Sequence, residues 1–129
     1  MHGSKQELAV SFKDGRVDIR EAEWNNINVA LESFPAGLET APIFKGLPDD
    51  RCQCPHWGYV IRGRLRVIYK DHEEVLAAGD AYYLMPGHTT RFEEPTELVE
   101  FSPLGEYQKT MEVAARNIAA MQAAGATAG

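Results

Sequence analysis

Residues 52–63 read CQCPHWGYVIRG, and residues 79–88 read GDAYYLMPGH. These two segments contain both cysteines of the chain and two of its four histidines. The candidate metal ligands are Cys52, Cys54, His56 and His88. If the first segment is extended, side chains two residues apart point the same way, so its two cysteines and its histidine share one face. The second histidine completes a set of four if it arrives on a neighbouring strand. Two thiols and two imidazoles suit zinc or another late transition metal, which predicts a metal site.

The composition is that of an ordinary globular chain. Its 129 residues fit one domain, with 44% hydrophobic and 25% charged residues. The net charge of −6 and the lack of a basic stripe argue against nucleic acid as a partner. Three alternating arginines, Arg62, Arg64 and Arg66, are interpreted as a solvated face. No apolar run approaches the ~18 residues of a membrane span, so no membrane partner is predicted.

The cysteines are predicted to be reduced. The first residues lack the basic-then-apolar layout of a signal peptide, which predicts a cytoplasmic protein. A disulfide between Cys52 and Cys54 would close a very tight loop with unfavourable geometry. The other two histidines, His2 and His72, are given no functional role, because the first lies in the N-terminal tail and the second in a charged turn.

Turn residues divide most of the chain into short strands. The pair Asp14-Gly15 is typical of a hairpin, and Gly63 can close a turn with a positive φ. Residues 38–46 are predicted to be extended and residues 48–50 to form a loop. Many short strands separated by glycine and proline indicate a sandwich or barrel.

Only the C-terminal part shows helical spacing. Apolar residues recur from Met111 to Met121 at intervals of three and four, which predicts an amphipathic helix over about 106–122. This stripe covers either the flank of the barrel or a twin subunit. The predicted divisions are an N-terminal tail (1–7), a β-barrel (8–104), a helix (105–124) and a flexible tail (125–129).

The two segments quoted above resemble the two motifs of the cupin superfamily, small β-jelly-roll barrels that hold a metal inside. Residues 59–63 are similar to the strand ending of the first motif, and residues 79–88 follow the second motif's order of Gly, apolar strand, Pro, Gly and His. The resemblance covers about residues 38–102. It implies an all-β fold with a cupin-type jelly-roll (double-stranded β-helix) barrel, to which the helical spacing adds one C-terminal α-helix. Together with the apolar stripe from Met111 to Met121, it also implies a homodimer.

The chain departs from the family's ligand pattern. His56 falls at the family's glutamate position, because six residues separate it from Gly63, and no His-x-His pair precedes it. With the family's usual spacing, the pair falls on Asp50 and Cys52. With a loop shortened by two residues it falls on Cys52 and Cys54, which we prefer because the ligands are then chemically coherent. Thiolates favour zinc over harder metals, with iron, copper or nickel as alternatives.

The resemblance also implies a small-molecule pocket inside the barrel. Three functions remain open: a non-oxidative metalloenzyme (isomerase, cyclase or lyase), a non-catalytic ligand- or metal-sensing module, and a metal-dependent dioxygenase. Thiolates beside iron and oxygen are prone to oxidation, so the first is preferred over the last. The sequence assigns no catalytic residue and no organic cofactor. Five strand residues near the ligands are interpreted as packing or surface positions: Tyr59, Tyr82, Thr90, Glu100 and Phe101.

Overall fold

Nine β-strands form two antiparallel sheets in the computed structural model, which describes residues 1–128 and side chains up to residue 125. The strands are β1 (Ala9–Asp14), β2 (Val17–Trp24), β3 (Ile27–Phe34), β4 (His56–Arg62), β5 (Arg64–Ile68), β6 (Glu73–Ala77), β7 (Ala81–Leu84), β8 (Thr89–Phe92) and β9 (Thr96–Pro103). Two short 3₁₀ helices, Ala41–Phe44 and Pro48–Asp50, lie between β3 and β4. One helix, α1 (Leu104–Ala128), follows β9. The predicted all-β architecture with one C-terminal helix is confirmed.

The two sheets enclose the main core. The larger sheet has the strand order β1-β2-β3-β9-β4-β7, and the smaller one has the order β6-β5-β8. Val60 and Leu98 of the larger sheet pack in one buried cluster with Leu65, Val67 and Leu76 of the smaller sheet. Because these side chains come from both sheets, the inner faces of the two sheets pack against each other.

The predicted turns are confirmed where glycine permits them. Gly15, with φ +58, lies in the turn between β1 and β2, and Gly63, with φ +98, joins β4 to β5. A Cβ atom on Gly63 would also collide with the carbonyl oxygen of Pro95 and with Thr96. This position therefore needs glycine for both its backbone conformation and its close packing.

Two segments differ from their predicted conformation. Residues 41–44 form a 3₁₀ helix rather than an extended segment, since Pro42 favours the first turn of a helix and Phe44 becomes buried there. Helix α1 extends beyond the predicted range at both ends. The flexible tail predicted for residues 125–129 begins within this helix and ends at Gly129, which lies outside the described residues.

Helix α1 packs on the barrel of its own chain. Met111, Ala115 and Ile118 of the predicted apolar stripe line a cavity that reaches into the barrel. Asn117 fastens the helix to the first 3₁₀ segment by donating hydrogen bonds to the carbonyl oxygens of Ile43 (2.7 Å) and Lys45 (2.8 Å). Within residues 1–128, no helix combines the length and the apolar character needed to cross a membrane.

Candidate metal centre and cavity

Strands β4 and β9 lie side by side and supply one wall of the barrel interior. Their register pairs Val60 with Leu98 and Gly58 with Glu100. Because side chains alternate along a strand, His56 lies on the same inner face as Val60. The inner face formed by these two strands is therefore apolar at one end and polar at the other.

A backbone pairing brings the other candidate ligands to the polar end. Cys52 and His88 form an isolated antiparallel bridge, in which the Cys52 N–H donates to the His88 carbonyl at 2.9 Å. Gly87 turns the chain before this bridge with φ +94 and donates to the Cys52 carbonyl at 2.7 Å. The Pro-Gly-His sequence thus places its histidine opposite the first cysteine.

Three of the four predicted ligands meet. Cys52 Sγ, His56 and His88 each offer a ligand atom, and all three atoms lie within 4.8 Å of one another. Cys52 Sγ is 3.5 Å from His56 Nε2. A tetrahedral zinc ion separates its ligand atoms by roughly 3.5 Å, so small side-chain rotations bring the three atoms within reach of one ion. The donor set fits a late transition metal.

Hydrogen bonds orient both imidazoles. His88 Nδ1 lies 2.6 Å from the carbonyl oxygen of Met85, so Nδ1 must carry the proton and Nε2 keeps its lone pair. His56 Nδ1 lies 2.6 Å from Ser102 Oγ and 3.6 Å from Glu100 Oε2. A carboxylate beside Nδ1 favours the same tautomer. Both rings therefore have the arrangement that metal-binding histidines use, with the second nitrogen held by a neighbour.

Cys54 and Asp50 lie outside this group. The chain from 53 to 55 is irregular and β4 begins only at His56, so the side chains do not follow the alternation expected of a strand. Cys54 Sγ contacts the Pro55 carbonyl oxygen at 3.4 Å and hydrogen-bonds with Ser102, the residue that also contacts His56. Asp50 is exposed, and its side chain accepts a hydrogen bond from the Gly46 N–H at 2.8 Å.

Burial keeps Cys52 and His88 uncharged in the metal-free protein. It raises the pKa of the Cys52 thiol to about 12, with smaller contributions from nearby Cys54 and carboxylates. Burial, together with the neighbouring His56, lowers the pKa of His88 to about 4. A neutral imidazole is ready to bind a metal, whereas the thiol has to lose its proton when a metal binds.

A cavity of about 740 Å³ opens beside the three ligands. All three line it, together with Glu32 and Glu100. Its size falls within the range of small-molecule pockets. Most of the remaining lining is apolar and comes from both sheets and from α1. The arrangement can hold a small organic molecule against the candidate metal centre.

A hydrogen-bonded group of Glu32, Glu100 and Tyr82 adjoins His56. The Tyr82 hydroxyl donates to Glu100 Oε1 at 2.8 Å, and Glu32 hydrogen-bonds with the same carboxyl group. A Cβ atom on Gly58 would collide with the Tyr82 ring, so glycine makes this approach possible. Burial, and then the charges of Glu100 and Glu21, raise the pKa of Glu32 well above its usual value.

The five further strand candidates separate by face. Tyr59 and Phe101 are exposed, as the packing-or-surface interpretation allows. Tyr82, Thr90 and Glu100 point inward: the threonine and the glutamate line the cavity, and the tyrosine donates to that glutamate. Sequence reasoning missed Ser102 and Glu32. The serine has the same parity on β9 as Glu100, a signal that could have found it.

Known proteins resemble this chain in structure rather than in sequence. No protein-family profile and no curated protein sequence matches it. An RmlC-like cupin from Shewanella frigidimarina superposes with a TM-score of 0.57 and 17% identity, covering 78% of this chain and 88% of that one. KdgF from Halomonas sp. gives a TM-score of 0.57 and 18% identity over 78% of this chain and 92% of that one.

Ectoine synthase from P. lautus is similar to the same extent. It superposes with a TM-score of 0.61 and 14% identity, covering 80% of this chain and 77% of that one. At these identities the likeness concerns the fold and not the activity. The chain has the cupin fold, and the resemblance found in its two motifs is confirmed at that level.

Proposed function

We propose that this cupin binds one zinc ion through Cys52, His56 and His88 and acts on a small organic molecule in the adjoining cavity. The observation that carries the proposal is the meeting of three oriented ligand atoms on the wall of a cavity of about 740 Å³. Three protein ligands leave one position of a tetrahedral ion for water or substrate, as in catalytic zinc sites. We infer a non-oxidative metalloenzyme: an isomerase, cyclase or lyase.

The residues around the cavity suit proton transfer. When bound, zinc supplies a Lewis acid that polarises a substrate oxygen. Glu32 and Glu100 share a hydrogen bond on the cavity wall, and Tyr82 holds Glu100 in place. Because burial raises the pKa of Glu32, this carboxyl group holds a proton more readily than an exposed glutamate does, and it can pass that proton to or from a substrate.

Metal analysis tests the centre. We expect one zinc per chain in the purified wild type and almost none in Cys52→Ser and His88→Ala. Cys54→Ser is the matched control, because it removes a buried thiol two residues away. Unchanged metal content in Cys52→Ser and His88→Ala would refute the centre. Loss of metal from Cys54→Ser as well would identify Cys54 as the fourth ligand and favour a closed site, as in the sensing-module alternative.

Metal exchange tests the reaction class. We expect turnover with zinc to be the same under air and under nitrogen, measured over a panel of small phenols, thiols and keto acids. A thiolate ligand is poorly suited to iron and oxygen because it is open to oxidation. Turnover that requires iron and consumes oxygen would replace this proposal with a dioxygenase.

We also propose a homodimer formed by the outer face of the larger sheet. Large side chains that are 39–50% exposed lie together on β4, β7 and β9 and next to β7: Trp57, Tyr59, Ile61, Tyr83, Met85 and Phe101. Trp57 is paired with Tyr83 on one side and with Phe101 on the other. Six such side chains leave on the order of 500 Å² of apolar surface, much of the roughly 800 Å² that a stable interface needs per partner.

Light scattering at micromolar concentration tests this face. We expect a dimer for the wild type and a monomer for Trp57→Ser/Tyr83→Ser, with Val75→Ser on the opposite sheet as the exposed control. A monomeric wild type would contradict the dimer.

Both cysteines are free thiols, which supports our proposal that the protein acts in the reducing cytoplasm.

A further inference from the structure

The cavity is lined by negative charge without a matching cation. Five carboxylates contribute to its wall, four of them on strands: Asp14, Glu21, Glu32, Glu100 and Glu39, the last of which is 4.0 Å from Arg91. Among the described residues, no lysine or arginine lines the cavity, and none lies within 4.0 Å of the first three carboxylates. A carboxylate in such a partly dry cavity is costly unless a positive group neutralises it.

Glu21 and Glu32 are neighbours on adjacent strands. The β2–β3 register pairs Ile19 with Glu32 and Glu21 with Ala30, so the two glutamates lie diagonally on one face, roughly 5–8 Å apart. Glu21 accepts a hydrogen bond from Asn28 Nδ2 at 2.8 Å, which fixes one of its oxygens. The pair thus presents two held carboxyl groups to the same volume of the cavity.

Aromatic and aliphatic side chains form another part of the lining. Phe34 and Phe92 stack with their ring centroids 4.2 Å apart, and both line the cavity. Met111 of α1 also lies on this lining. An apolar ligand body can pack here, and an aromatic face also attracts an organic cation.

A bound zinc ion would not neutralise the two glutamates. The thiolate of Cys52 would offset one of its two charges, and Glu100, 3.6 Å from His56 Nδ1, lies close enough to offset the other. Glu21 and Glu32 are then left for the ligand itself.

We infer that the cavity selects an organic cation, with a protonated amine or quaternary ammonium group seated between Glu21 and Glu32 and an apolar body against Phe34 and Phe92. The inference rests on the proposed function only in taking this cavity as the small-molecule site. The raised pKa of Glu32 agrees with it, because a carboxyl that lacks a counter-charge holds its proton until a cation arrives.

Three probes of one size and different charge test the inference: 2-phenylethylamine, 2-phenylethanol and phenylacetate. Calorimetric titrations use chelator-treated protein at pH 7, so the amine cannot bind through a metal. We expect the amine to bind about tenfold more tightly than the alcohol, and the anion to bind most weakly. Glu32→Gln and Glu21→Gln should each weaken amine binding about tenfold and leave alcohol binding unchanged.

Glu74→Gln is the control, because it changes the net charge equally at an exposed position on β6. If the amine shows no saturable binding, or the alcohol or anion binds as tightly, the inference is wrong. It is also wrong if Glu74→Gln weakens amine binding as much as Glu32→Gln does. Zinc content is measured on the same preparations before the chelator is added, so failure of the metal centre and failure of cation selectivity are seen separately.

Discussion

The two ends of strands β4 and β9 share the same backbone pairing but differ in chemistry. At one end, Val60 and Leu98 are opposite each other and almost fully buried in the core. At the other end, the same inner faces carry His56, Glu100 and Ser102, and His56 contacts the other two. Four residues separate Val60 from His56 on β4 and Leu98 from Ser102 on β9, with Glu100 midway on β9.

This difference separates the residues that stabilise the fold from the residues of the proposed site. The apolar end is filled with aliphatic side chains that need no partner other than each other. The polar end keeps thiol, imidazole and carboxyl groups in a buried position and leaves a cavity beside them. Natural proteins retain such groups where function requires them, because packing alone would favour apolar residues.

The largest expected effect is loss of zinc-dependent stability at the polar end. A ligand that binds only the folded state stabilises it by about 4 kcal/mol when its free concentration is a thousand times its Kd. We expect the wild type to gain this much with zinc and His88→Ala to gain almost none. Chemical denaturation with zinc and with chelator measures the difference. An equal gain in both proteins would show that His88 does not hold the zinc, and the polar end would then not be a metal site.

A core substitution at the apolar end should lower the stability of the fold and leave zinc binding unchanged. Val67 is fully buried between the sheets, so Val67→Ala removes two methyl groups and leaves a small void. We expect a loss of about 2–3 kcal/mol in the free energy of unfolding, with unchanged zinc stoichiometry. Val75→Ala, exposed on the same hairpin, serves as control and should change stability by less than about 0.5 kcal/mol. Loss of zinc from Val67→Ala would show that the two ends are coupled.

The sequence predicted the fold well because its signals are local. Gly15 and Gly63 mark turns that only a few backbone conformations can close, and the order of residues in 79–88 is specific to one strand and turn. The cupin fold followed from these features. The conformation of residues 41–44 did not, since an isolated Pro42 is equally compatible with an extended segment and with the start of a 3₁₀ helix.

The site was predicted only in part because it depends on contacts between distant segments. His56 and His88 came from motif positions, and Cys52 came from the face it would share with His56 in an extended segment. Strand parity does not reach Cys54, because the backbone before β4 is irregular there, and metal binding by Cys54 stays a prediction. Glu32 lies 68 residues before Glu100 in sequence, and their contact depends on β3 and β9 being neighbours. No local pattern carries that information.

Ser102→Ala tests whether a neighbouring hydroxyl group orients His56 at the polar end. Its hydroxyl is 2.6 Å from His56 Nδ1, and partners of this kind orient metal-binding histidines. We expect zinc affinity to fall about tenfold, with the stoichiometry still one. Competition with a chromogenic chelator measures the affinity. Ser33→Ala is the control, because Ser33 pairs with Glu97 at the other end of the larger sheet. Equal affinities for Ser102→Ala and the wild type would show that the serine does not position His56.

The smallest expected effect is a change in how stability depends on pH, caused by Glu32. Its pKa is raised in the folded protein above the ordinary value of 4.5, chiefly by burial and then by Glu100 and Glu21. The folded state therefore binds this proton more tightly than the unfolded state does. The resulting stabilisation is complete below pH 4.5 and is lost as the pH rises through the folded-state pKa.

In metal-free protein, we expect Glu32→Gln to reduce the decline in unfolding free energy above pH 4.5. Urea denaturation at several pH values measures it, with Glu74→Gln as the exposed control. If Glu32→Gln and Glu74→Gln give the same slope, the carboxyl group is not held in its protonated form, and the polar end of the barrel carries its negative charge without penalty.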